Sequence, residues 1–395
     1  MTGPVRQQKG SIAAPPQENL LSPLAVCIIA VALITGVFAI YSPALSFQFI
    51  LDDHHFVNDP RLQSPGHVWE YFTNYVWAQV VGGPPSFYRP VFVLWLRRDF
   101  ILAGMSSWGW HLLSLVKHVS AAVLLGVLAW KLLRDRVGAL LAGTLFALHP
   151  AQTESVAWVT VPDPLMAAAV LGSLLLYLEY RDRASADDHA HAEKSKRRSH
   201  KQLRATSQSW SSAWWLIASA TACLAAQMAK ETAIVLPAVF FAAALIIPVG
   251  RLGRIKAAHG QGFAAQLASA FRESLPFLGV TVVYLLLRLD ALGERFSPLT
   301  QHLPWTTVLL SWPATLWFYV KVLFWPVVPR AFADPSLADT FSLHGVLWPG
   351  LGVCSSIAVM AWAFQWAWRK ARGDLPSGEG VGVERALLWG TGGTD

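Results

Sequence analysis

Charge is scarce in this chain. Only 14% of its 395 residues are Asp, Glu, Lys or Arg, where a soluble domain carries about a quarter. That scarcity excludes an ordinary soluble fold. Cysteine is nearly missing too. Cys27, Cys223 and Cys354 stand far apart, which excludes a disulfide framework and a zinc-ligand spacing. The apolar residues lack the period-2 alternation that a transmembrane β-barrel needs. No repeat of roughly 30–50 residues recurs, so a solenoid is excluded. The first apolar run lacks a small-residue A-x-A cleavage site and follows a polar leader, so it reads as a retained anchor and not a signal peptide.

Long apolar runs are what the chain has instead. They are bounded by Pro, Trp or basic clusters and are long enough to cross a ~30 Å hydrocarbon core as helices. The expected fold is an all-α, polytopic transmembrane protein of about eight spans plus interfacial helices. The spans are placed at about 22–43, 110–131, 137–149, 165–180, 211–229, 233–250, 274–290 and 343–367. Residues 306–326 are read as an interfacial or re-entrant helix interrupted by Pro313, which keeps "WRKAR" inside; counted as a span they would put it outside. Many of the 19 Trp lie near span ends, where indole favours the headgroup region. Residues 1–21 form a cytoplasmic leader and 22–372 the membrane domain. The Gly-rich tail, 373–395, reads as a span that starts and stops, as in a truncated product.

Lys and Arg in short loops set the orientation. "KLLRDR" (131–136), "GRLGRIK" (250–256) and "WRKAR" (368–372) are basic. The 181–204 segment holds eight Lys/Arg against four acids. All four are assigned to the cytoplasm, and the polar 181–210 loop is expected to lack structure. The net charge of +7 therefore reports topology, and no nucleic-acid partner is implied. The first outside loop is 44–109.

On that outside face the unusual polar residues converge. "LDDHHFVNDPRL" (51–62) packs Asp52, Asp53, His54 and His55 together. Adjacent carboxylates repel, so one is more easily protonated and suits a general base. Asp and His could also ligate a divalent metal, though consecutive residues do not readily point at one ion. "RPVFVLWLRRDFILAGM" (89–105) reads as an amphipathic helix on the membrane with Arg97 and Arg98 snorkelling. "LHPAQTESVAWVTVPDP" (148–164) brackets a polar turn with prolines and places Glu154 low in a cavity. Lys230 and Glu231 end an apolar run, as a mutual ion pair or with Lys230 on an anionic head group.

In order, "DD…NDP", "YRP", "HPAQTE" and "KE" resemble the GT-C membrane glycosyltransferases, and most closely the transmembrane and TPR-containing O-mannosyltransferases and their bacterial relatives. The resemblance covers roughly residues 20–340 and lacks the TPR part. It implies inverting transfer of a mannose-like sugar from a polyprenyl-phosphate carrier to an acceptor hydroxyl, of a protein Ser/Thr or a glycan, at the non-cytoplasmic face. That face is periplasmic in a bacterium and ER lumenal in a eukaryote. It places Asp52 as the catalytic carboxylate, with Asp53 and Glu154 as its partners. Arg89, Lys230 and His149 fall on motif positions assigned to the donor phosphate. No cofactor is required, since phosphate is already a good leaving anion, although His54 and His55 could hold a divalent metal. Two other readings fit the composition: a lipid-linked sugar transporter or flippase, and a truncated, non-catalytic membrane scaffold.

Overall fold

The computed structural model describes residues 23–78, 87–133, 135–197, 209–247, 263–293, 304–326 and 337–371. The leader, the tail and the "GRLGRIK" cluster lie outside these residues, as does most of the 328–337 loop. The described residues are helical, with no strand among them. The chain is an all-α polytopic protein.

Helix α1 is Pro23–Tyr41. The long loop after α1 then folds into three short helices, α2 (Asp53–Val57), α3 (Pro60–Gln63) and α4 (Glu70–Thr73), followed by α5 (Pro90–Ala103). Helices α6 (Ser107–Leu133) and α7 (Arg136–Leu148) are followed by the one-turn α8 (Thr153–Ala157) and then by α9 (Asp163–Arg197). The remainder are α10 (Ser209–Ala229), α11 (Leu236–Ile246), α12 (Phe263–Leu292), α13 (Trp305–Phe324) and α14 (Trp348–Ala371). Among the described residues, five helical stretches are long and apolar enough to cross a membrane: 107–133, 163–186, 263–292, 305–324 and 343–363.

Local chemistry sets the boundaries. Pro90 occupies the first turn of α5, where its missing N–H costs nothing. Gly104 ends that helix at φ +54°, a conformation only glycine adopts freely. The Asp135 carboxylate caps α7 by accepting from the Val137 and Gly138 N–H groups at 3.3 and 2.7 Å, which satisfies orphan donors.

The spans pack through small and polar side chains, because lipid tails give helices no hydrophobic reason to associate. A Cβ added to Gly143 of α7 would lie 3.2 Å from the Ala122 carbonyl of α6, a tight contact that glycine relieves. Ser173 and Ser219 bond reciprocally between α9 and α10, each hydroxyl donating to the other's carbonyl at 2.7 and 2.8 Å. Gln227 donates to the Thr281 hydroxyl at 2.7 Å. Tyr177, Phe240 and Phe277 fill the junction of α9, α11 and α12, the two phenylalanines stacked at 3.5 Å.

Three sequence expectations change. Helix α9 continues through Arg197, so residues 181–197 are helical and only 198–204 of that basic segment lie outside the described residues. Its first turn past the span is anchored: Arg181 donates to the Ala243 and Ile247 carbonyls at the end of α11 and pairs with Glu273 at 3.1 Å. Those contacts hold the helix where composition favours disorder. Helix α13 is continuous across Pro313. Hydroxyls bond back along it, Ser311 to the Thr307 carbonyl and Thr315 to the Ser311 carbonyl, as happens where proline interrupts a membrane helix. Its length is that of a full span.

The third change concerns α5. Arg97 does not snorkel; its Nη1 donates to the Leu62 and Ser64 carbonyls at 2.8 Å each. Asp99, fully buried, pairs with Lys117 of α6 at 2.9 Å. The spans are therefore not free of charge, since Lys117 lies ten residues into α6. Helix α5 packs on α6, and Phe56, Leu62, Tyr71, Phe92, Leu96 and Trp110 form one core between the first loop and the bundle.

Candidate functional site

The acidic cluster resolves into carboxylates with different duties. Asp59 caps α3 by accepting from the Arg61 N–H at 2.9 Å, and its carboxylate pairs with the Arg61 side chain at 2.7 Å. Arg61, 1% exposed, also donates to the Val76 carbonyl at 2.6 Å. This unit stitches the loop to itself, which is what "NDPR" encodes.

Asp53 is fully buried. One carboxylate oxygen accepts from the Ile50 N–H at 3.0 Å; the other accepts from the Thr160 N–H at 3.2 Å and the Thr160 hydroxyl at 2.7 Å. The loop after α1 is thereby pinned to the turn between α8 and α9. Burial pushes the Asp53 carboxyl above its ordinary range, against the pull of these donors and of nearby His111.

Asp52 is left over. It is half-buried, sits at the start of α2, and its side chain makes no capping bond. Its carboxylate has no hydrogen-bond partner among the described residues. The preceding residue, Leu51, has φ +46° and is 54% exposed. A bulky side chain in the left-handed region is costly, and such strain gathers at functional sites. The neighbouring imidazoles are exposed. His54 stands edge-on to Phe49 and His55 to Trp77, both at 6.3 Å. Among the described residues no three His, Cys, Asp or Glu side chains converge in a metal-binding arrangement.

The turn after α7 brings Glu154 to the same end of the bundle. It is exposed on α8, not low in a cavity. Partial desolvation raises its carboxyl, the Asp163 charge adds to this, and Lys230 opposes it. Those three residues thus share one electrostatic neighbourhood.

Lys230 and Glu231 do not pair with each other. They lie at the corner between α10 and α11, and the change of direction there sends them apart. Lys230 Nζ reaches Asp163 at 2.6 and 2.7 Å. Glu231 accepts from Arg89 at 2.8 Å, and Arg288 of α12 lies 3.5 Å from its other oxygen. Arg89 also stacks over Phe87 at 4.3 Å. Two adjacent ion pairs therefore tie three elements together: Asp163 from the second turn, Arg89 from the first loop, and the 230–231 corner.

His149 is placed differently from Arg89 and Lys230. Its Nδ1 accepts from the Ala151 N–H at 3.1 Å, and its Nε2 donates to the Leu323 carbonyl at 2.8 Å. Both ring nitrogens are engaged in holding the turn and the end of α13.

Sequence reading missed Thr160 and Arg288. Thr160 carries no motif signal. Arg288, in "YLLLRLDALG", is a lone cation in an apolar run, a pattern that marks intramembrane function. Also unforeseen is His111 at the start of α6, which is 1% exposed with neither ring nitrogen hydrogen-bonded.

No family model matches the chain, and no solved structure matches it. Curated relatives do. The Drosophila melanogaster protein O-mannosyl-transferase Tmtc1 is 30% identical over 251 residues, covering 62% of this chain and 26% of that protein. Drosophila melanogaster Tmtc2 is 34% identical over 147 residues, 36% of this chain and 16% of the relative. Human TMTC2 is 30% identical over 146 residues, 36% and 18%. The chain matches about a quarter or less of the length of these relatives. Its similarity is to protein O-mannosyl-transferases of the TMTC type, over part of its length.

Proposed function

We propose that this protein is a membrane glycosyltransferase of GT-C type that moves a mannose-like sugar from a polyprenyl-phosphate carrier to a Ser or Thr hydroxyl of a protein, with inversion. The observation that carries the reading is the fate of the acidic pair. Asp53 is buried and spent on Ile50 and Thr160, while Asp52 presents a half-buried carboxylate with no hydrogen-bond partner among the described residues. Relatives named as O-mannosyl-transferases support the sugar and the protein acceptor.

In this mechanism the acceptor hydroxyl attacks the anomeric carbon as Asp52 takes its proton. The new C–O bond forms as the bond to the carrier oxygen breaks, and the bonding electrons leave with the lipid phosphate. Asp53 is a positioning residue, since it holds the loop and not the substrate. Glu154 stabilises the oxocarbenium-like charge from the second turn. Arg89 and Lys230 receive the carrier phosphate; a guanidinium suits its paired oxygens. The acceptor enters from the non-cytoplasmic side. The cationic side chains supply the charge that a metal would otherwise bring.

Sugar transfer from a polyprenyl-phosphate donor in isolated membranes tests this. Asp52→Asn is expected to lower the rate by roughly 10²-fold or more, the scale of lost general-base catalysis. Near-full transfer by that variant would remove Asp52 from the mechanism.

A further inference from the structure

We propose that the groove between α1, α6 and α7 holds one acyl chain of an anionic phospholipid, with the lipid head group at Arg136. The site stands at the end of the bundle opposite Asp52, and it does not depend on the sugar-transfer reading.

Three helices make the groove. Near Asp52 it is sealed, because Val37 and Tyr41 of α1 pack with Leu115, Ala122, Ala147 and Val156. Toward the start of α1 the three helices leave a cavity of about 420 Å³ between them. Leu33 and Ile34 form its α1 wall. Its floor is the seam of α6 and α7, which meet through small residues. A Cβ on Gly126 would lie 3.4 Å from the Ala139 carbonyl, and one on Gly143 lies 3.2 Å from that of Ala122. Glycine and alanine are too short to fill the space above such a seam.

The lining indicates the occupant. It is apolar, and among the described residues its one charged side chain is a cation, Arg136, at the first position of α7. Trp130 stands at the same end and is 49% exposed, as indole does at headgroup level. The other charges nearby face elsewhere. Asp135 caps α7 through the Gly138 N–H, and Lys131 pairs with Glu179 and Asp182 at 2.8 and 3.1 Å. An apolar slot with a cationic mouth complements a hydrocarbon tail with an anionic head.

Size selects one chain. From Ala122 to Trp130 the groove runs about 12 Å at helical rise, against about 15 Å for the hydrocarbon of one leaflet. A partner helix is about 10 Å across, and 12 Å of it would need roughly twice the available volume. Bulk lipid tails are equally apolar, so burial alone gives no preference. Selectivity comes from the head group, at about fivefold for one Lys or Arg beside anionic lipid.

The test uses the full chain in lipid nanodiscs with trace phosphatidylglycerol carrying a photoreactive acyl chain, and the matching phosphatidylcholine as a second arm. Adducts are mapped by mass spectrometry after irradiation. Phosphatidylglycerol adducts are expected to concentrate on residues 27–34 and 122–143, about fivefold above phosphatidylcholine. Arg136→Gln is expected to erase that preference. Ile34→Trp fills the groove and is expected to cut these adducts severalfold. Val123→Trp fills it from α6 and serves where Ile34→Trp does not fold. Leu286→Trp, on an exposed face of α12, leaves them unchanged. Adducts retained in both filled variants, adducts spread evenly over the outward-facing helices, or equal labelling by the two lipids would each overturn the proposal. So would a dimer contact covering the groove with no lipid adduct there, which assigns it to a second copy. No arm reads sugar transfer, so this outcome and that of the enzyme reading are separate.

Discussion

At the scale of single residues, the acidic pair shows how adjacent, chemically identical side chains acquire different work. Asp53 accepts three hydrogen bonds and makes a covalently distant connection; Asp52 accepts none among the described residues. Asp53→Asn would turn a donor toward the Ile50 N–H, and it is expected to cost on the order of 1–3 kcal/mol of stability through an unsatisfied buried group. The pH dependence has a definite sign. Burial raises the Asp53 carboxyl above the ordinary aspartate value of 3.8, so folding favours binding of its proton. Its contribution to stability is complete below that value and is lost as pH rises through the higher folded value. The gap in thermal midpoint between the wild type and Asp53→Asn should therefore be wider at pH 4 than at pH 7. A gap that widens toward neutral pH would show that the donors outweigh desolvation. Sequence alone marked the pair but could not divide its labour, because Thr160 is 107 residues away and belongs to no motif.

At the scale of elements, the helices were legible and their contacts were not. Apolar run length and its Pro-, Trp- and basic-bounded ends located most of the long helices, four of which are long and apolar enough to cross a membrane; the fifth such helix, 305–324, reads from sequence as interfacial. The seating of α5 was hidden, because an amphipathic pattern is equally consistent with a helix on lipid and one on protein. Asp99 and Lys117 decide it, as a pair 0% and 7% exposed. Lys117→Met leaves the Asp99 charge buried with only Arg98 near it, at 3.6 Å. It is expected to destabilise the fold by about 3–5 kcal/mol. The double variant Lys117→Met/Asp99→Leu should recover most of that loss, measured by thermal unfolding in detergent. A double variant as weak as the single one would mean the pair does more than neutralise itself.

At the scale of the whole molecule, polar networks gather at two ends. One holds Glu154, Asp163, Lys230, Arg89 and Glu231; the other holds Lys131, Glu179, Arg181 and Glu273. Arg183 lies twenty residues along α9 from Asp163, roughly 30 Å at helical rise, and is 46% exposed. Basic loops assign the second end to the cytoplasm. Single cysteines at His54 and Arg183, in a chain with its three native cysteines replaced by serine, should therefore label oppositely. An impermeant maleimide added to intact cells or sealed ER vesicles should distinguish lumen from cytoplasm through its access to each. Labelling of both from one side would refute the arrangement. What the sequence could not supply at this scale is the corner where Lys230 and Glu231 part company, because residues adjacent in the chain suggested mutual pairing while chain direction sent them to different partners.

His149 gives this arrangement a mechanical side. One nitrogen of its ring holds the turn leading to Glu154, and the other holds the last carbonyls of α13. Helices α13 and α14 turn many large apolar side chains outward, among them Trp312, Leu316, Ile357 and Trp362, so surrounding lipid supplies much of their contact surface. Their tilt then answers to bilayer thickness. Through one imidazole, the lipid-facing helix α13 is tied to the turn that carries Glu154.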